Sequence, residues 1–117
     1  MNWTRLVRLG RGLPEVEEGL WYGTPSLQVR GKSFLRLKED GATVVFLTED
    51  VDERDVLIAA KPDVYFVTDH YRGSAAVLAR LAKLTASEAR ARLERAWRRK
   101  APKALVRGFD ESDAALR

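Results

Sequence analysis

Between Ser26 and Lys38, polar and apolar residues alternate on both sides of one glycine. Leu27 and Val29 fall on one face of an extended segment, with Gln28 and Arg30 on the other, and Leu35 and Leu37 then stand opposite Arg36 and Lys38. A period of two is the mark of a half-buried strand. Two such strands therefore meet at Arg30-Gly31-Lys32, a link short enough only for a tight hairpin. Asp40-Gly41 repeats the signal, as a dipeptide suited to a primed hairpin turn, and leads into the apolar run at residues 43–47. Strands joined this way run antiparallel.

The remaining elements are placed around this sheet. Asn2 caps a first helix, in which Trp3, Leu6, Val7 and Gly10 share one face and Arg5, Arg8 and Arg11 another; Gly12 and Pro14 stop it. A short strand at residues 19–22 precedes the hairpin. Asp50 or Asp52 opens a second helix whose first turn holds Glu53 and Asp55, where the helix dipole favours acids. Its Val56, Leu57 and Ala60 face inward and Pro62 ends it. Residues 64–68 read as a buried strand, 69–74 as a loop and 75–81 as a last strand. Thr85-Ala86-Ser87-Glu88 is a capping box with Leu84 as the staple residue. In the helix that follows, Ala89, Leu93, Ala96 and Trp97 form the apolar face, and Arg92, Arg95 and Arg99 form a row on the far side, before Ala101-Pro102. The expected fold is α+β, a mainly antiparallel sheet of about six strands with helices on one face, in the order α-β-β-β-β-α-β-β-α. Residues 1–108 form one domain and residues 109–117 a flexible tail.

Several chemistries are excluded or weakened. The chain has no cysteine, so disulfides, thiolate metal sites and a cysteine nucleophile are out. Gly31-Lys32-Ser33 ends like a phosphate-binding loop, but that loop needs a glycine where Ser26 stands, a strand before it and a helix after it. Gly10-Arg11-Gly12 follows a helix, not the strand a dinucleotide fingerprint requires. The one histidine, His70, cannot easily assemble a triad or a histidine-rich metal site. The acids Glu49, Asp50, Asp52, Glu53 and Asp55 lack calcium-loop spacing and read as helix capping. No catalytic residue, metal or cofactor is expected. No apolar run approaches the roughly 20 residues that span a bilayer, no signal peptide is legible, and the expected location is the cytoplasm.

Charge is the positive evidence. The formal net charge is +4, but residues 26–38 hold four bases and no acid, and residues 86–107 hold eight bases against two acids. Bases concentrated in a hairpin and a helix suit a polyanion. The candidate nucleic-acid-binding residues are Arg30, Lys32, Arg36, Arg72, Arg92, Arg95, Arg99 and Lys103. Nothing among them spells a base-reading motif, so binding should depend on phosphates and carry little sequence preference. The alternative is a small-molecule or protein-binding module with a cleft built from Tyr22, Thr24, His70 and Tyr71.

Three stretches, LPEVEEGLWYGTPSLQVRGKSFLRL, VTDHYRGSAAVLARL and AWRRKAPKAL, resemble the MmcQ/YjbR-like family of small bacterial proteins from residue 13 to about residue 105. Glu-Glu-Gly, Tyr-Gly-Thr-Pro, Val-Arg-Gly-Lys and Ala-Pro-Lys, in this order and spacing, carry the resemblance. It implies a compact domain related in shape to the CyaY-like fold, DNA binding through a proposed double wing of two hairpins, and no enzymatic activity. One wing would be the hairpin around Arg30-Gly31-Lys32, the other the loop at residues 69–74 with Arg72. Asp69 and Trp21 depart from the pattern, which more often has Pro and Ser there. The combined expectation is a non-enzymatic, monomeric protein that binds nucleic acid, DNA first, and no membrane.

Overall fold

The computed structural model of the chain describes residues 1–115, with side-chain surroundings as far as residue 113. Six strands pair into one antiparallel sheet: β1 (Val16–Trp21), β2 (Thr24–Val29), β3 (Lys32–Leu37), β4 (Thr43–Leu47), β5 (Tyr65–Phe66) and β6 (Ala76–Arg80), in the spatial order β1-β2-β3-β4-β6-β5. The hairpin at Arg30-Gly31 is the tight turn expected, and Tyr22-Gly23 forms a second of the same kind between β1 and β2. Tyr22 and Gly23 take φ of 53° and 76°, and Arg30 and Gly31 take 51° and 78°. Two successive left-handed residues match the twist of the flanking strands. The Asp40-Gly41 turn differs, since only Gly41 has a positive φ. Asp40 instead uses its carboxylate, which accepts the amides of Ala42 and Thr43 at 2.9 Å each and so shapes a longer loop. These hydrogen bonds, the Ala42 amide first, hold the Asp40 carboxyl below its usual range.

Four helices accompany the sheet: α1 (Trp3–Gly10), α2 (Val51–Ala60), α3 (Ala86–Lys100) and α4 (Lys103–Ala115). Asn2 caps α1 by accepting the Arg5 amide at 2.8 Å, and Asp50 caps α2 by accepting the Glu53 amide at 2.8 Å. Thr85 accepts the Glu88 amide at 3.1 Å at the start of α3. The return half of that capping box is not used as expected: the Glu88 carboxylate accepts from Lys61 Nζ and Tyr65 Oη, each at 2.6 Å. Those bonds tie α3 to the end of α2 and to β5.

The two faces of the sheet are unequal. Val44, Phe46, Val77 and Ala79 point into the main core with Ala89, Leu93, Ala96 and Trp97 of α3. Their neighbours Val45, Ala76 and Leu78 point the other way, into a small cluster covered by Phe66 and Tyr71. α3 lies on β2, β3 and β4, α1 packs on α3, and α2 reaches β5 and β6.

Four expectations need correction. In α2 the inward residues are not Val56 and Ala60: Val56 is 66% exposed and Ala60 is exposed, while Leu57 and Ile58 pack partly and Arg54 is buried. The strand expected at 64–68 pairs only over Tyr65–Phe66, because the chain turns into a 3-10 turn at Asp69–Tyr71. β1 begins earlier, at Val16, which packs inward while Glu17 and Glu18 face water. Gly108 does not release the chain into a tail. It lies inside α4, which continues to Ala115 and sets the Phe109 ring 5.2 Å from Trp97; the last two residues of the expected tail fall outside the described ones.

α1 can approach the sheet because residue 10 has no side chain. A Cβ on Gly10 would stand 2.5 Å from Leu27 Cδ1 and 3.4 Å from Leu93 Cδ2. Gly10→Ala gains up to about 1 kcal/mol in helix propensity but overpacks a filled core, which typically costs about 1–3 kcal/mol. The expected net outcome is a lower urea midpoint with an unchanged slope. A more stable variant would mean that α1 shifts freely.

Candidate functional site

Most of the arginines expected to meet a phosphate already have a carboxylate. Arg30 forks onto Glu15 at 2.6 and 2.9 Å, and that pairing holds the Glu15 carboxyl below its usual range. Arg72 pairs with Asp69 at 2.7 Å. The row expected on the solvent side of α3 is turned partly onto α2. Arg92 lies 3.6 Å from Glu53, with its Nε enclosed and without an acceptor, and Arg95 donates to the same carboxylate. Glu49 and Asp50 border that groove, so its character is mixed rather than basic. Lys103 is exposed beside Arg98, Arg107, Asp110 and Glu111, in a separate groove against α4. This leaves Lys32 and Arg99 from the expected set without a carboxylate, while Arg36, paired with Glu39, lies on the same cavity as Arg99.

Arg36 and Arg99 line a cavity of about 290 Å³ on the face of the sheet opposite the main core. Its floor is Val45, Leu47 and Ala76, its walls are Trp21, Tyr22 and Tyr71, and Arg99 and Lys100 stand at the end of α3. Arg36 projects from β3 into the back of the cavity and is only 6% exposed. Its guanidinium donates to Thr24 Oγ1 at 3.1 Å, Glu39 at 3.1 Å and Tyr71 Oη at 2.6 Å, and sits 5.5 Å from the Tyr22 ring centre. Burial opposes its charge, but the bonds to Tyr71 and Glu39 outweigh it and raise its pKa, so the group stays charged. A second groove, lined by Leu20, Gly31, Lys32 and Ser33, shares Trp21 and Lys100 with the first. Lys32, Arg99 and Lys100 have no carboxylate within ion-pair distance among the described residues.

Backbone geometry presents the aromatic walls. Tyr22 occupies the first place of a primed turn at φ 53°, where Asn or Gly would be easier, since such a backbone costs a bulky residue about 1 kcal/mol or more. The ring is nonetheless 76% exposed and stacks on Trp21 at 5.6 Å and 20°. Tyr71 is held from behind. Arg54, buried in α2, donates to the carbonyls of Arg72 and Ser74 at 2.7 and 3.2 Å and reaches that of Tyr71 at 3.5 Å. His70 lies outside the cavity, edge-on to the Tyr71 ring at 4.8 Å and exposed. Of the alternative cleft, the structure therefore unites Tyr22, Tyr71 and, through Arg36, Thr24, but not His70.

Sequence reasoning missed Trp21, Lys100 and Arg54. Trp21-Tyr22 before a glycine is a readable sign of displayed aromatics, and Lys100 adjoins Arg99. Arg54 leaves no local sign, because its partners lie 17 to 20 residues away. Among the described residues no three acids or histidines come together as a metal site, and no helix is long and apolar enough to cross a membrane.

A family model described as YjbR matches residues 11–99. Two uncharacterised mycobacterial proteins, Mb2600 of Mycobacterium bovis and MT2646 of Mycobacterium tuberculosis, are each 39% identical over 69 residues, covering 59% of this chain and 54% of theirs. The chain thus spans about half the length of the curated relatives it matches. No solved structure matches it.

Two substitutions test the cleft's construction. Arg54→Met removes the donor that the carbonyls of Arg72 and Ser74 accept from, an expected loss of about 1–3 kcal/mol, with faster proteolysis in that loop. Tyr22→Asn trades a stacked ring for an easier backbone, two effects of about 1 kcal/mol each and opposite sign. Its thermal melt should stay close to the parent's. A loss above about 2 kcal/mol would make Tyr22 a structural plug rather than a displayed wall.

Proposed function

We propose, from the premise that the chain belongs to the YjbR family, that it is a non-enzymatic protein that binds nucleic acid, DNA first, with little sequence preference. The observation that carries this reading is the meeting of three cations that lack acid partners, Lys32, Arg99 and Lys100, with Trp21, Tyr22 and Tyr71 on one side of the sheet. Cations beside aromatic faces are what phosphate and base require together. The two wing arginines contribute less than the family pattern suggests, since Glu15 holds Arg30 and Asp69 holds Arg72. The cavity's own ionisable side chains are arginine, lysine and tyrosine, a set without a general base poised near neutral pH. A small molecule in the same cavity is the second reading, favoured by its walled shape and by the buried Arg36 behind it.

Salt dependence tests the footprint. Three phosphate contacts give a log–log slope of affinity against salt of about −2 to −3. Lys32→Ala with Lys100→Ala should flatten that slope by about two contacts' worth and weaken binding to unrelated sequences alike. Arg92→Ala with Arg95→Ala should leave the slope near the parent's, because Glu53, with Glu49 and Asp50 bordering the same groove, offsets that pair's charge. Fluorescence polarisation at several salt concentrations reads both. No binding at about 50 mM salt, or a slope carried by the Arg92 and Arg95 pair, overturns the proposal.

A further inference from the structure

The cavity selects among nucleic acids, and resting on the reading above we infer that it takes one unpaired nucleobase between Tyr22 and Tyr71, with the adjoining phosphate at Arg99 and Lys100. The site therefore binds single strands or strand ends in preference to duplex.

Shape supports this first. The site is concave and holds about 290 Å³, at the small end of sites that enclose organic ligands. A paired base keeps its faces inside the stack and offers a cavity nothing to enclose, whereas an unpaired base presents a free π-face to aromatic side chains. Polarity is distributed to match. The floor is aliphatic, the walls are aromatic, Arg36 at the back is held by Thr24, Glu39 and Tyr71, and the cations without carboxylate partners stand at the α3 end, the arrangement for a flat ring carrying a phosphate on one side.

The walls are also set before any ligand arrives. Arg36 pins the Tyr71 phenol at 2.6 Å, Arg54 holds the carbonyls behind it, and Trp21 backs the Tyr22 ring. The carboxylates touching this apparatus, Glu39 and Asp55, are bonded to Arg36 at 3.1 Å and to Arg54 at 3.0 Å, each pointing its charge at that cation. The second groove extends the path. It shares Trp21 and Lys100 with the cavity and ends at Lys32, so a strand leaving the cavity past Trp21 meets another cation one step on. A free nucleotide offers the same base and phosphate without that second step.

Three labelled probes separate these cases: an oligothymidylate of about ten nucleotides, within the usual span of single-strand sites, a blunt duplex of the same length, and a nucleoside monophosphate as competitor. The expected result is single-strand binding about 10-fold or more tighter than duplex binding. Tyr22→Asn should weaken the single strand about 10-fold to 100-fold, the worth of one lost stacking partner, and leave the duplex unchanged. Trp21→Ala, which removes the support behind that ring, should weaken the single strand in the same direction and by less. Equal affinity for both polymers, with no effect of either aromatic variant, overturns the inference and leaves nucleic-acid binding standing. Failure to bind either polymer while the monophosphate binds, and loses binding in Tyr22→Asn, supports the base cavity and overturns the polymer. Binding of none of the three overturns both.

Discussion

Trp97 is fully enclosed, and its indole N–H donates to the carbonyl of Pro14 at 3.0 Å, across 83 residues of chain. A large aromatic buried with its one polar atom satisfied has a single comfortable orientation, so this contact sets the rotation of α3 about its axis. The rest of the molecule refers to that setting. α1 packs on the same helix, Pro14 belongs to the segment that leads into β1, and Phe109 of α4 closes edge-on over the indole. With Trp97 facing inward, Arg92 and Arg95 fall against α2 and meet Glu53, while Arg99 and Lys100 at the helix end pass to the other side of the sheet. The position of two cations in the cleft is thus a consequence of how one core residue is packed.

Charge then sorts itself by what each cation can reach. The chain carries 21 lysines and arginines against 17 acids, so pairing can hide most of its basic character but not all of it. Glu15, Glu53, Glu88, Asp69 and Asp110 each hold one or more of the bases. Exposed pairs of this kind add little stability, about 0–1 kcal/mol each, but they remove a guanidinium from the set free to meet a phosphate. Unpaired bases remain elsewhere, among them Arg5, Arg8 and Lys103, and none of these lines the cleft. What distinguishes Lys32, Arg99 and Lys100 is their place in the two adjoining grooves that Trp21 joins, rather than their number.

Local signals were readable in the sequence wherever structure follows from short-range chemistry. The alternation at β2 and β3, the caps at Asn2 and Thr85, and the apolar face through Leu93 and Trp97 depend on residues within a few positions of one another, and all are present. The misses share the opposite property. Arg54 carries no short-range sign of burial, and it is buried because carbonyls beyond β5 come to it. Arg92 and Arg95 looked unpaired because Glu53 is 42 positions from Arg95 and no period connects them. Gly108 looked like a stop, but packing of Phe109 on Trp97 outweighs the roughly 1 kcal/mol that a glycine costs inside a helix. In the cleft, the residue types were legible and the company they keep was not.

Arg36 and Arg54 explain why that company is stable. A charge can be taken out of water only if its donors are filled. Arginine brings five in a planar fork where lysine brings three around a point. Arg54 spends its fork on Asp55 and on the carbonyls of the 71–74 turn, and Arg36 spends its own on Thr24, Glu39 and Tyr71. Both are buried and committed to these partners, so both act on a ligand through the walls they hold. That leaves a division of labour: buried arginines with partners fix the aromatic surfaces, and cations without carboxylate partners, free at the rim, adapt to what arrives. A wall already ordered costs little entropy to use, and side chains that stay solvated until binding keep the electrostatic contribution open to salt.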